Sequence, residues 1–234
     1  MTAPQSVIAL TGLRLPLEDG DQPTGPEVLR AMLSLAEATL GQLAGQANGS
    51  VAALGRLRGT GRGVSFGRII ERLERDQPLE LVSPFEGSER VAGAVWPHPD
   101  GGDLRPALAK LRWSAGADDL PMHAHEHSGR FIVVHEGRGY FHVSRQPLGR
   151  FDGTDVRTVP ARERDVFVFT PGVVHTFSTA RSPMTLLSCQ APFLEFDNPR
   201  QYTLPAHHWS ARTTSADRAA IACDAAWTCL TAAG

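Results

Sequence analysis

After Pro84 the sequence becomes a series of short apolar runs, each separated from the next by glycine, proline or aspartate. Runs this short and this evenly spaced, rich in alternating or β-branched residues, are typical of strands in a sandwich or barrel. We therefore predict a mainly β protein, with a hairpin centred on Gly137-Arg138, where glycine can supply the positive φ that a tight turn needs. The predicted strands are Val91–Trp96, Ala107–Ser114, Phe131–His135, Gly139–Ser144, Asp155–Val159, Val166–Thr170 and Thr185–Gln190.

Helical patterns flank these strands. Apolar residues recur every three or four positions from Pro26 to Leu43, and a second short helix is predicted over Arg68–Arg75. A third helix, Ser215–Leu230, begins at a serine cap. The predicted division is a mostly helical N-terminal extension (1–85), a β-barrel (86–200) and a C-terminal tail with a helix (201–234).

Charge and hydropathy exclude several classes of partner. The 234 residues include 23 basic and 25 acidic side chains, a net charge of −2, which provides no general attraction to nucleic acids or anionic membranes. No apolar run approaches the ~20 residues that cross a bilayer. We expect a cytoplasmic protein with neither partner. The basic run Arg56, Arg58, Arg62 and Arg68 contains no aromatic residue and is interpreted as a solvated face or a docking surface.

Histidines are concentrated in one segment. Five of the nine lie between His123 and His142. In an extended strand, alternate residues share a face, so His123, His125 and His127 line up. Two adjacent imidazoles are half of a transition-metal site and need a third ligand from elsewhere. His175 is the candidate, since it follows an apolar strand and the Pro171-Gly172 turn.

These two segments resemble the two motifs of the cupin superfamily, G-x5-HxH-x3,4-E-x6-G and G-x5-PxG-x2-H-x3-N. The first is matched by Gly116, which lies one residue further from the histidines than in the motif, by His123-Ala124-His125 and by Gly137. The second is matched by Thr170-Pro171-Gly172 and His175, with Arg164-Asp165 in place of Gly-Asp and Thr179 in place of asparagine. The resemblance implies a jelly-roll barrel (a double-stranded β-helix) with metal ligands His123, His125 and His175, and a homodimer.

One departure from the motif limits the chemistry. Counting back seven residues from Gly137, the glutamate ligand of the family falls on Arg130. A guanidinium cannot ligate a cation, so the resemblance implies only three ligands, as in thiol dioxygenases and some other oxygenases of the family. Three neutral ligands leave the charge of the ion uncompensated, which favours an anionic substrate. Arg130 itself needs an anion nearby, either a substrate group or a protein carboxylate; Glu126 is the nearest in sequence, and it faces inward only if the chain bulges.

The remaining histidines receive weaker interpretations. His127 is either a proton carrier beside the metal site or a solvated rim residue, and His135 and His142 are interpreted as surface or sheet-packing side chains. The predicted pocket walls are alternate strand residues: Trp113, Met122, Ile132, Val134, Phe141, Phe177, and either Val166 and Val168 or Phe167 and Phe169.

The preferred functional hypothesis is a metal-dependent cupin enzyme, a non-haem Fe(II) dioxygenase that acts on a small anionic substrate, with Arg130 and His127 as catalytic residues. Iron is favoured, and zinc, nickel, copper and manganese suit the same ligands. The alternatives are a non-redox isomerase or lyase, a non-catalytic small-molecule sensor, and a vestigial site whose histidines only form hydrogen bonds.

Overall fold

The computed structural model of the chain describes residues 6–17, 23–46, 50–58, 65–102 and 105–212. Strands dominate these residues, accompanied by two longer helices and one short 3-10 turn. The elements are β1 (Ser6–Ala9), α1 (Gly25–Gln46), β2 (Val51–Arg56), α2 (Phe66–Asp76), β3 (Val91–Trp96), β4 (Ala107–Trp113), β5 (His123–Ala124), β6 (Gly129–Ser144), the 3-10 turn Leu148–Arg150, β7 (Val156–Arg162), β8 (Asp165–Phe169), β9 (Val174–Ser178) and β10 (Met184–Ala191).

The strands form two layers. One layer has the order β1-β2-β8-β6-β10-β4-β3, and β7, β6, β9 and β5 follow one another in the second. All pairings are antiparallel except that of β1 with β2. The prediction of a mainly β jelly roll is confirmed, and α1 and α2 contain the two predicted N-terminal helices. The predicted helix 215–230 lies outside the described residues.

Strand β6 belongs to both layers, and this corrects the predicted hairpin at Gly137-Arg138. The first half of β6 pairs with β8 and β10, and its second half pairs with β7 and β9. The two halves therefore do not pair with each other. Gly137 lies where the strand changes layers, at φ +76°, and a Cβ atom there would lie 2.2 Å from the Pro183 carbonyl oxygen, so only glycine fits.

A β-bulge in β6 explains why the predicted wall residues of this strand face the interior although the predicted hairpin pairing is wrong. The register with β10 shifts between Thr185 and Leu186, which leaves His135 as the extra residue. Odd-numbered residues face inward after the bulge and even-numbered residues before it, so Ile132, Val134, Phe141 and Val143 all join one interior cluster.

The outer face of the larger layer is covered by the N-terminal helices. Leu29 and Met32 of α1 pack in one core with Val166 and Val168 of β8. The segment before residue 86 also adds β1 and β2 to the sheet beside β8, which the sequence analysis did not predict. Among the described residues, neither helix combines the length and apolar character needed to cross a membrane.

Aromatic side chains fill the barrel below the histidines. Phe141 lies 4.7 Å from Phe167 and 4.9 Å from Phe177, and Trp113 lies 6.0 Å from Phe177, measured between ring centroids. Since Val166 and Val168 face the helices, Phe167 and Phe169 are the inward pair. The predicted wall residues Trp113, Ile132, Val134, Phe141 and Phe177 all lie in this interior cluster.

Met122 is the exception among the predicted wall residues. It alternates with His123 along the strand, so it faces outward when the histidine faces inward. It packs with Phe151 and Trp209 in a separate cluster on the outside of the smaller layer. The assignment of Met122 to the pocket is therefore wrong.

Candidate metal centre

Three histidines converge at one end of the barrel because two short strands pair there. His123 begins β5, His175 lies in β9, and the two residues are direct partners in an antiparallel register. His125 follows on the same face of the chain. All three side chains are buried, and one ring nitrogen from each lies within 4.8 Å of the other two.

Main-chain carbonyl groups orient the three rings. The Nδ1 atoms lie 2.9 Å from the Pro121 oxygen in His123, 2.6 Å from the Gln201 oxygen in His125 and 2.9 Å from the Val173 oxygen in His175. A carbonyl oxygen only accepts, so Nδ1 of His123 and of His175 carries the proton and Nε2 keeps its lone pair. This is the neutral tautomer that a metal ligand requires, held by the kind of contact that supports metal-ligating histidines. At His125 the guanidinium of Arg130, which only donates, also faces Nδ1, so its two contacts favour opposite tautomers.

Burial keeps the rings uncharged. It lowers the pKa of His123 to about 4, with a further lowering from the charge of Arg130. The same cause holds the pKa values of His125 and His175 well below the ordinary histidine value. At neutral pH the group thus offers three neutral nitrogen donors.

Arg130 lies beside His125. Its guanidinium is buried, with Nη1 donating to the Ser128 hydroxyl and, at 3.3 Å, to the Gly129 carbonyl oxygen. Nη2 lies 2.9 Å from His125 Nδ1, on the side of the ring away from Nε2. Burial lowers the pKa of Arg130 to about 10, opposed by the charge of Glu86, so the side chain is still a cation at neutral pH.

Glu86 is the acid whose charge acts on Arg130, and the sequence analysis missed it. It lies in the turn between Ser83 and Ser88 with φ +54°, a left-handed conformation that is uncommon outside glycine. Burial raises the pKa of its carboxyl group, and the charge of Arg130 lowers it. No local sequence pattern links Glu86 to Arg130, because the two residues lie far apart in the chain. Glu126, in contrast, is exposed and accepts a hydrogen bond of 2.7 Å from the Thr203 hydroxyl.

A segment after the last strand completes the site. Thr203 exchanges two main-chain hydrogen bonds with Ala124, of 3.0 and 2.8 Å. Gln201 is buried and donates from Nε2 to Gln190 Oε1 at 3.1 Å, in addition to the contact of its carbonyl group with His125. The Tyr202 ring lies 5.6 Å from that of His123. Nothing in the sequence alone indicated that 201–203 would lie here.

The other histidines of the cluster lie apart from the three ring nitrogens. His127 is exposed at the rim, with Nδ1 3.2 Å from Arg200 Nη2. His135 is buried beneath α2, 6.0 Å from the Phe66 ring, so it is a sheet-packing residue. His142 is also buried, with its ring nitrogens 2.8 Å from the Thr158 hydroxyl and 2.7 Å from the Ser178 hydroxyl.

Backbone conformation gives the motif glycines a physical basis. The four positions at which the two motifs carry glycine have positive φ: +74° at Gly116, +76° at Gly137, +68° at Arg164 and +88° at Gly172. Arg164 therefore adopts a conformation that glycine would adopt without strain. Thr179, in place of asparagine, ties the loop before β5 by accepting from the Ala117 amide at 3.0 Å and donating to the Ser114 carbonyl oxygen.

Comparison with known proteins agrees with this geometry. Residues 110–189 match the family model of the cupin domain. No curated protein matches the chain. Solved structures are similar to parts of the chain at low identity. Salicylate 1,2-dioxygenase from Pseudaminobacter salicylatoxidans is 19% identical over 46% of this chain and 28% of its own, with a TM-score of 0.34.

Two further structures are similar at the same level. KdgF from Halomonas sp. is 11% identical over 50% of this chain and 89% of its own, with a TM-score of 0.39. CapF from Staphylococcus aureus, a capsular polysaccharide assembling protein, is 12% identical over 56% of this chain and 36% of its own, with a TM-score of 0.42. Both histidine motifs fall within the matched segment and fold around one group of ligand atoms, so residues 110–189 form a cupin domain.

Proposed function

We propose that this protein is a metal-dependent cupin enzyme, an Fe(II) oxygenase that acts on a small anionic substrate at the three-histidine site. The observation that carries the proposal is the convergence within 4.8 Å of ring nitrogens from three buried imidazoles, each with its Nδ1 within 2.9 Å of a carbonyl oxygen. Three neutral nitrogen donors suit iron and other first-row divalent ions. When bound, a ferrous ion supplies redox chemistry and open coordination positions.

The charges around the site favour an anionic substrate. The three neutral ligands leave both positive charges of a divalent ion uncompensated, and Arg130 adds another behind His125. Glu86 contributes a single opposing carboxylate, whose raised pKa reflects its burial. A carboxylate or an ionised hydroxyl of the substrate would balance the remaining charge.

The side chains around the ion have different roles. Arg130 packs against His125 and supplies positive charge, and His127 carries protons between the site and solvent, with Arg200 Nη2 3.2 Å from its Nδ1. The buried aromatic cluster beneath the histidines closes the barrel there and keeps water from reaching the ion through the interior. We also propose that the protein is a homodimer, as the family resemblance implies.

Element analysis of protein purified without added metal tests this proposal. We expect about one iron per chain, lost in His175→Ala and retained in the control His208→Ala, which removes an exposed histidine outside the site. Oxygen uptake should then be measured with thiols, aromatic diols and keto acids. Zinc in place of iron would move the assignment to a non-redox isomerase or lyase, and the absence of any metal would contradict both enzyme hypotheses.

A charge reversal tests the role of Arg130. Arg130→Glu replaces a cation with the acid that the family motif carries, so we expect metal affinity to rise by about tenfold or more and the anionic substrate to be excluded. Arg112→Glu, an exposed position on β4, makes the same change of charge and should affect neither. Unchanged substrate affinity in Arg130→Glu would remove the anion-balancing role of Arg130.

A further inference from the structure

A groove of about 650 Å³ lies where β6 changes layers, bordered by its segment 137–140, by the end of β7 and by the loop before β10. Its charged lining is four arginines, Arg56, Arg138, Arg162 and Arg181, against the single acid Glu163. The whole chain has a net charge of −2, so this positive charge is a local concentration. A concave basic surface raises the local concentration of anions.

Three of these arginines have donors available for a ligand. Arg56 is already engaged, donating to Asp165 Oδ1 at 2.8 Å. The guanidinium groups of Arg138, Arg162 and Arg181 are exposed and make no hydrogen bond to any other side chain or carbonyl in the described part of the chain. A guanidinium presents a planar fork that matches two oxygens of a phosphate group. Several such forks around one groove suit a multiply charged phosphorylated ligand.

An apolar wall adjoins these cations. Tyr140 is 40% exposed, unusual among the aromatic side chains that the structure describes, and it lines the groove. Pro160 is its direct partner across the β6–β7 pairing and also lines the groove. An exposed tyrosine ring beside a proline offers a flat face on which a planar ring can stack.

We propose that this groove binds a nucleotide-like anion, with phosphate groups on Arg138, Arg162 and Arg181 and a planar ring against Tyr140. The volume is within the range of small-molecule sites and accommodates one such molecule. The site is separate from the metal centre, since Arg130 and Gly137 are seven positions apart on β6, a separation of up to about 23 Å along a strand. The proposal does not depend on the identity of the metal or on the proposed oxygenase activity.

Calorimetric titration of the full chain at low ionic strength with ATP, tripolyphosphate and adenosine tests the proposal. We expect ATP to bind with a dissociation constant below about 1 mM, tripolyphosphate to bind more weakly and adenosine weakest of all. The double variant Arg138→Gln/Arg181→Gln should lose about tenfold or more of the ATP affinity. Tyr140→Ser should weaken ATP binding and leave tripolyphosphate binding unchanged.

Arg112→Gln serves as the matched control, because Arg112 is exposed on β4 and does not line the groove. It should bind ATP as the wild type does. Absence of ATP binding, or ATP binding that the double variant and Arg112→Gln weaken equally, would overturn the proposal. The substituted groove side chains are exposed, and an unchanged circular dichroism spectrum and melting temperature would establish that each variant is folded.

Discussion

Arg130 and Arg138 lie on the same strand, β6, in opposite environments. Arg130 is 2% exposed, and its guanidinium is in contact with Ser128, Gly129 and His125. Arg138 is exposed at the edge of a groove, and its guanidinium makes no hydrogen bond to another described residue.

The difference shows that position along the strand, rather than residue type, sets what an arginine does here. A buried guanidinium with its donors engaged acts on its fixed neighbours, so its removal should change stability and the geometry of His125. An exposed guanidinium contributes little to stability, and its donors are available to a ligand. Arg138 should therefore matter for binding and Arg130 for the integrity of the metal end.

Truncation of the two arginines should produce the largest contrast. Arg130→Ala removes a packed side chain and the donors to Ser128 and Gly129, and we expect a loss of about 2–4 kcal/mol in the free energy of unfolding, even after relief of the buried charge. Arg138→Ala should change that free energy by less than about 0.5 kcal/mol. Urea unfolding at pH 7 measures both. Equal losses of unfolding free energy in the two variants would contradict the difference in role between Arg130 and Arg138.

His142 extends the comparison to a buried basic group that is uncharged. Burial lowers its pKa to about 3, whereas a histidine in the unfolded chain titrates near its ordinary value of about 6.5. As the pH falls below 6.5, the unfolded state takes up the proton first, so stability is lost between about pH 6.5 and pH 3. At pH 5 this one group should account for a loss of about 2 kcal/mol.

The variant His142→Gln isolates that contribution. Glutamine does not titrate and can still form hydrogen bonds to Thr158 and Ser178. The difference in unfolding free energy between pH 7 and pH 5 should shrink by about 2 kcal/mol relative to wild type. His208→Gln, which replaces an exposed histidine, is the matched control and should leave the difference unchanged. If both variants retained the full loss on acidification, the acid sensitivity would arise elsewhere.

The smallest effects are expected in two turns, one next to the groove and one next to the three-histidine site. Arg164 follows the groove residue Glu163 and has φ +68°, so Arg164→Gly should relieve strain of about 1–2 kcal/mol, partly offset by the greater entropy of the unfolded chain, for a net gain of up to about 1 kcal/mol. Gly172, in the turn before His175, has φ +88°, and Gly172→Ala should cost about 1 kcal/mol or more. Melting temperatures should shift in opposite directions; shifts in the same direction would contradict the role assigned to φ.

The features that the sequence predicted are those with local signals. Alternation placed His123 and His125 on one face, and motif spacing identified His175, because each depends on residues close together in the chain. The pairing of β6 was wrong because a glycine between two apolar runs resembles a hairpin even where the strand passes from one layer to the other. Strands β1 and β2 were missed because their pairing is long-range. Glu86 and Gln201 reach the site only through the folded barrel.

The pairing of β5 with the segment after β10 determines how much of the chain a fragment must contain to keep the candidate metal site intact. The match to the cupin domain ends at residue 189, but the carbonyl group that orients His125 belongs to Gln201, and the main chain of Met122 donates to the Trp209 carbonyl oxygen. A recombinant fragment that stopped at Ala191 would keep all three histidines and still lose the support of His125 and the cover on the open side of β5. The smallest fragment that keeps the site with its supporting contacts therefore extends at least to Trp209.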